Sequence, residues 1–169
     1  MKKLHWIYLL FLVAGVWMLH TSSSDYDDRN YLPVFMKRSD LEKSVSYQSA
    51  ERKMESPGKI YYKAPYIFIN EKYKGVHVIN NSDPVHPVNE GFIVAPGCID
   101  MAVKGNILYL DNAVDLVAFD WLAKQPTKRI RNVFPEPVSP ENEVFISDIN
   151  REDYILVGWK INPNKRKTP

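Results

Sequence analysis

A chain of 169 residues has room for one domain, and 45% hydrophobic with 25% charged residues is a globular rather than a disordered composition. The formal net charge of +2 is too small to argue for nucleic acid as a partner, and no RNP-like, zinc-finger or helix-turn-helix pattern supplies one. Twelve Pro against seven Gly, with ten Tyr, seven Phe and four Trp, fit a loop-punctuated β protein better than a helical bundle, because proline breaks helix interiors and aromatics favour strands.

The amino terminus reads as an export signal. Met1-Lys-Lys precedes residues 6–19, WIYLLFLVAGVWML, which carry no charge. That length suits a secretory h-region and falls short of the roughly 20 residues that span a bilayer. Ser22 and Ser24 then suit the −3 and −1 positions of a cleavage site. Residues 1–24 are therefore expected to be a signal peptide. The alternative is an uncleaved anchor that associates the chain with a membrane, since Ser is a weaker cleavage residue than Ala and the bulky Trp17 and Met18 lie close by. Both place the remainder outside the cytoplasm, in the periplasm or at the cell surface.

Residues 25–57 are polar and charged, a linker expected to dock onto the repeats downstream of it. Tyr31-Leu-Pro-Val-Phe-Met36 is an edge strand or a packing strip. Ser39-Asp40-Leu41-Glu42 fits a short helix start, with Ser39 or Asp40 as cap.

Residues 58–162 carry a repeat. Pro57-Gly58 marks a turn. Runs at 60–62 and 66–69 flank Ala64-Pro65 as a hairpin, and Gly75 closes a polar loop where a positive φ is needed. Residues 76–79 give a third strand, ended by Asn80-Asn-Ser-Asp-Pro84, and 92–94 a fourth. The order then returns: 100–103 and 107–110 flank Gly105-Asn106, 116–119 follow as third strand, and 130–134 are the expected fourth. Tyr66-Ile-Phe-Ile-Asn70 aligns with Ile107-Leu-Tyr-Leu-Asp111, as Lys59 does with Asp100. A period of about 40–45 residues with several short strands per unit marks a β-propeller-like array. Residues 144–146 and 154–157 offer half of another unit, before a basic polar tail at 163–169.

Chemistry-bearing residues are scattered. Cys98 is the sole cysteine, so neither an internal disulfide nor a Cys-based metal site is available. It reads as a small buried hydrophobe, a nucleophile beside His77 or His86, or one half of an intermolecular disulfide. Asn70, Asn80, Asn81, Asp83, Asp100, Asp111, Asn112, Asp115 and Asp120 recur at strand ends; they are turn formers or, alternatively, calcium ligands. His77 alternates with Val76 and Val78 in a strand, and His86 lies in a loop. The basic segments 124–131 and 165–167 read as a solvated face and tail, or as weak binders of anionic surface polymers or lipid headgroups. No Gly-x-Ser-x-Gly element, phosphate loop or EF-hand occurs, and no catalytic, cofactor or metal residue is assigned.

At PGKIYYKAPYIFINEKYKGVHVINNSDP and PGCIDMAVKGNILYLDNAVDLVAFD the chain resembles the LVIVD-repeat proteins. YLPVFMKRSDLEKSV and Val157-Gly-Trp159 extend the likeness to roughly residues 31–160. The resemblance implies an exported surface protein built as a β-propeller, of a Bacteroidetes type that is usually a lipoprotein. The lipobox cysteine of that type is missing. Propellers close with four to eight blades, whereas this chain offers two blade-like units plus a partial third.

The expected fold is all-β, a β-propeller-like repeat array whose ring is incomplete. Truncation, completion by homo-oligomerisation and a small open assembly each explain the shortfall. The expected function is a non-enzymatic interaction or scaffold module of the cell envelope, with a protein or an envelope polymer as partner. The alternatives are a propeller-type enzyme or carbohydrate-binding protein whose site needs a complete ring, and a remnant without independent function.

Overall fold

The computed structural model of the chain describes residues 29–50, 52–142, 148–163 and 165. The export segment 1–24 and the strand-like run 144–146 lie outside them. Residues Asn30–Asn162 form one compact unit, and it is all-β apart from one helical turn.

Among the described residues there are two meander sheets and one ribbon, every pairing antiparallel and no sheet closed on itself. The ribbon pairs β1 (Tyr31–Lys37) with β11 (Tyr154–Ile161), the two ends of the unit. After β1 comes α1 (Arg38–Leu41). The first sheet has the order β2-β6-β5-β4-β3, from β2 (Ser46–Gln48), β3 (Pro57–Lys63), β4 (Tyr66–Glu71), β5 (Gly75–Asn80) and β6 (Val88–Val94). The second has the order β10-β9-β8-β7, from β7 (Met101–Lys104), β8 (Ile107–Asn112), β9 (Asp115–Asp120) and β10 (Gln125–Ile130).

Register and alternation fix the faces, since residues paired across a ladder share a face. In the first sheet Tyr61, Phe68, Val78, Val76 and Ile93 fall together. Ile60, Tyr62, Ile67, Ile69, His77 and Phe92 fall on the opposite side. In the second sheet Met101, Val103, Leu108, Leu110, Val117 and Phe119 share one face, and Ala102, Tyr109, Asp111, Leu116 and Ala118 share the other. One buried cluster joins Phe68, Val76, Val78 and Ile93 to Leu108, Leu110, Val117 and Phe119. The sheets therefore pack face to face. Trp121 closes the cluster, its ring 4.5 Å from Tyr66 and 5.5 Å, edge-on, from Phe68.

The repeat explains which faces meet. Phe68 points into the core, but its counterpart Tyr109 points out; Leu108 points in, but its counterpart Ile67 lies on the outer face. The units are thus stacked in the same sense, each presenting its first-type face to the second-type face of the next. Lys59 and Asp100, which occupy the same place in successive units, form an ion pair across the stack.

A second cluster sits beside the main one. Leu41 from α1, Ala113 and Val114 from the β8–β9 turn, and Ile155 and Val157 from β11 are all buried, with Val34 and Met36 of β1 against them. The segment 25–57 thus supplies two strands, the helical turn and the core residues Leu41 and Val45.

Several elements differ from the sequence reading. Lys37, not Ser39 or Asp40, is the N-cap of α1, with no side-chain cap bond. The fourth strand of the second unit lies at Gln125–Ile130 rather than 130–134. Asp120 Oδ1 accepts the backbone N–H of Leu122 and Ala123 at 3.0 and 2.9 Å, and Lys124 adopts φ 58°. That turn brings the chain back at once. Pro126 is tolerated because β10 is an edge strand whose register shifts beside it. Residues 133 and 134 instead donate to Val114 O, at 2.8 and 3.0 Å, and leave the sheet. Residues 154–157 pair with β1 rather than opening a third meander. Gly75 fits its expectation: at φ 145° a Cβ would lie 1.9 Å from Ile93 O.

Truncating a buried ring between the sheets leaves a void, so Phe119→Ala is expected to cost about 3–5 kcal/mol. Tyr62→Ala, on an outer face, is expected to stay within about 0.5 kcal/mol of the native chain when both are compared as monomers at high dilution. Denaturant midpoints at constant m-value report both.

Candidate functional site

The outer face of the second sheet carries a cleft of about 420 Å³. Ala102, Tyr109, Asp111 and Leu116, alternating along β7–β9, form its floor, and residues 134–138 arch over it. Four contacts hold that arch. Val133 and Phe134 donate to Val114 O, Trp159 Nε1 donates to Pro137 O at 3.1 Å, and Arg151 pairs with Glu136 at 3.2 Å. The prolines at 135 and 137 stiffen it and withhold two donors. The result is a preformed, mostly apolar slot of a size suited to a ligand or an inserted side chain.

Three carboxylates line this slot, and each is engaged. Asp100 pairs with Lys59, which holds its carboxyl below the ordinary range against a smaller burial effect. Glu136 faces Arg151. Asp111 Oδ1 accepts the backbone N–H of Ile99 and Asp100 at 3.0 and 2.9 Å. Burial pushes the Asp111 carboxyl above its ordinary value, although those N–H groups pull the other way. Its role is to pin the chain where it enters the second unit. Asn70 holds the matching place in the first, with Nδ2 donating to Gly75 O and Cys98 O at 3.2 and 3.3 Å.

Cys98 lies behind this floor, fully buried, with its sulfur 3.3 Å from Asn70 Nδ2. Burial and the neighbouring Asp111 push the thiol well up, so it is protonated near neutrality and poorly nucleophilic. His77 is on the outer face of the first sheet, its Nε2 3.3 Å from Glu71 Oε2 and its ring edge-on to Phe92. His86 is exposed and paired with Asp83 at 2.9 Å. The hydrogen bonds of both histidines thus run to carboxylates rather than to the thiol.

The strand-end Asn and Asp residues divide into two groups. Asn80, Asp83 and Asp120 accept N–H groups two or three residues on, as turn formers do. Asn112 instead spans units, donating to Pro96 O at 2.6 Å. Asp115 is fully buried and bound by two arginines: Arg38 Nη1 lies 2.8 Å from both its oxygens and Arg129 Nη1 2.8 Å from Oδ2. Among the described residues no group of three or more His, Cys, Asp or Glu is placed to hold a metal ion. No described helix is long and apolar enough to cross a membrane.

The basic run 124–131 is exposed apart from half-buried Arg129, and three of its cations have partners within the chain. Lys124 lies over the Tyr47 ring, Arg131 pairs with Glu42, and Arg129 belongs to the Asp115 network. Sequence reasoning missed Glu71 and Arg38. Glu71 accepts the backbone N–H of Ser56 and Glu55 at 2.6 and 3.2 Å, the same service that Asp111 gives the second unit. An acid next to the repeat-matched Asn70 was the available signal.

Compared with protein-family models, with curated proteins and with solved structures, the chain finds no match in any of the three.

The buried acids have opposite pH signatures. Burial works to raise Glu71 and Asp115, but the N–H groups at Ser56 and Glu55, and the Arg38 and Arg129 guanidiniums with the Asn132 N–H, outweigh it and leave both lowered. Their stabilisation is present above their ordinary values of 4.5 and 3.8 and is lost as pH falls through the folded values. Asp111, raised, contributes fully below 3.8 and loses that contribution as pH rises through its folded value. Asp111→Asn, which copies Asn70, is therefore expected to gain on the native chain as pH climbs from 3.8 to neutrality. Asp111→Ala leaves two N–H groups without their acceptor and should lose about 2 kcal/mol. Denaturant melts across pH check this; an Asn variant whose relative stability falls with rising pH would contradict it. Asp115→Asn removes the buried charge that faces two half-buried guanidiniums and is expected to cost about 1.5–3 kcal/mol at neutral pH, measured in the same melts.

Proposed function

We propose that the chain is an exported β-repeat module of the cell envelope that acts by binding through its two outward sheet faces rather than by catalysis. The observation that carries this reading is the apolar character of those faces. On the first sheet Ile60 and Tyr62 are 67% and 62% exposed. On the second, Tyr109 and Phe134 are part-exposed around the cleft. Contiguous exposed apolar surface marks contact sites. The carboxylates at the cleft are held by their own partners, so they orient the scaffold rather than offer a free base.

Export is supported by residues 1–24, with their charged start, apolar run and small polar end. The two meanders are read as propeller blades of the LVIVD type. Four antiparallel strands per unit, stacking in one sense and a repeat of about forty residues all support that reading. A second function is favoured by the cleft itself: its volume and apolar lining suit a small apolar ligand.

Both faces can be probed in cells with a photocrosslinking amino acid at position 62 or 109, and at exposed Lys128 as control. Adducts of discrete mass from 62 and 109, in the envelope fraction and absent from 128, are the expected outcome. Recovery of the chain in the cytoplasmic fraction would overturn the export reading. Equal labelling at all three positions would overturn the binding faces.

A further inference from the structure

We propose that the partner of these faces is a second copy of this chain, docked head to tail, the cleft face of one copy against the Ile60–Tyr62 face of the next. This rests on the reading of the outward faces as binding surfaces and names their occupant.

The internal interface is the template. Between the two sheets, the face bearing Tyr61 and Phe68 meets the face bearing Met101, Val103 and Leu108. Tyr61 reaches across, its hydroxyl 3.4 Å from Val103 O. What remains outward is the same pair of face types, open at Ile60 and Tyr62 on the first sheet and at Ala102 and Tyr109 on the second, beside the arch of residues 134–138. Ala102 and Tyr109 are the counterparts of Tyr61 and Phe68; Ile60, Tyr62 and Ile67 are the counterparts of Met101, Val103 and Leu108. A copy placed as the next unit in the stack would bring Tyr109 against Ile60, Tyr62 and Ile67.

Charge agrees with shape. Within the chain Lys59 of the first unit pairs with Asp100 of the second. One step further along the stack, Asp100 of one copy faces Lys59 of the next, again opposite in sign, and both side chains remain more than half exposed. The sign alternates at every step, so continued stacking meets no like-charge clash at this position. Such an interface is heterologous, joining two different surfaces, and it must either close or run on as a filament. Propellers close at four to eight blades, so two-blade copies would close as assemblies of about two to four.

The test uses the exported chain purified from cells and two single substitutions, one on each face. Native mass spectrometry of the native chain is expected to give a discrete assembly of two to four copies. Tyr62→Lys and Tyr109→Lys should each be monomeric and still unfold cooperatively, at a midpoint that does not depend on protein concentration, whereas the midpoint of the native chain rises with concentration. Mixed in equal amounts, they should form a one-to-one dimer, because each retains the face that the other lacks. A contact that joins position 62 to its own copy, or 109 to its own copy, cannot give that pattern, because one of the two variants would then still assemble alone.

A monomeric native chain at 100-fold above its cellular concentration would overturn the proposal, as would assemblies that survive both substitutions or variants that fail to complement. If the chain is monomeric yet positions 62 and 109 still crosslink to other envelope components, self-assembly fails while the binding-face reading stands. If neither self-assembly nor crosslinking occurs, both fail.

Discussion

A sheet with apolar side chains on both sides cannot be satisfied by a single neighbour. Each face-to-face contact buries one face of each partner, and the other two faces are left over. Here the contact is made by Phe68, Val76, Val78 and Ile93 against Leu108, Leu110, Val117 and Phe119. Because successive units stack in one sense, the leftover faces are not two copies of the same surface. One carries Ile60, Tyr62 and Ile67 and the other carries Tyr109 and the cleft. The outward surfaces, and the binding proposed for them, arise from that constraint.

Polar groups then tie the units where apolar contacts cannot. Asp111 and Glu71 gather the backbone N–H groups at the entry to their own units, while Asn70 and Asn112 donate to carbonyls in the connection between units. Asp115 works differently: with Arg38 and Arg129 it ties α1 to β9 and β10. Arg129 also donates to Leu41 O at 3.1 Å. Such a network contributes little if replaced whole by apolar groups but is costly to break at one member. It fixes position rather than adding stability.

Much of the fold was legible because it is local. Period-two alternation in 66–69, 76–79 and 107–110 and the turn residues around Gly75 and Gly105 placed most strands of the meanders within a residue or two. The long-range pairing of β1 with β11 was not legible, because neither strand carries a signal that names a partner at the far end of the unit. The fourth strand at Gln125–Ile130 was hidden by Pro126 and by alternating polarity that suits an exposed edge. The site was legible only in outline. Asp111 stood out as a repeat-matched residue, but nothing local announces that residues 134–138 arch over it, or that Asp115 lies between two arginines.

The face-to-face contact is tested most directly by a double-mutant cycle on Phe68 and Trp121. These rings meet edge-on at 5.5 Å across a separation in sequence that only the stacked sheets bring together. The packing described requires a coupling energy of about 0.5–1.5 kcal/mol between Phe68→Ala and Trp121→Ala. Additive losses, with a coupling below roughly 0.3 kcal/mol, would mean that the two sheets do not meet through these faces.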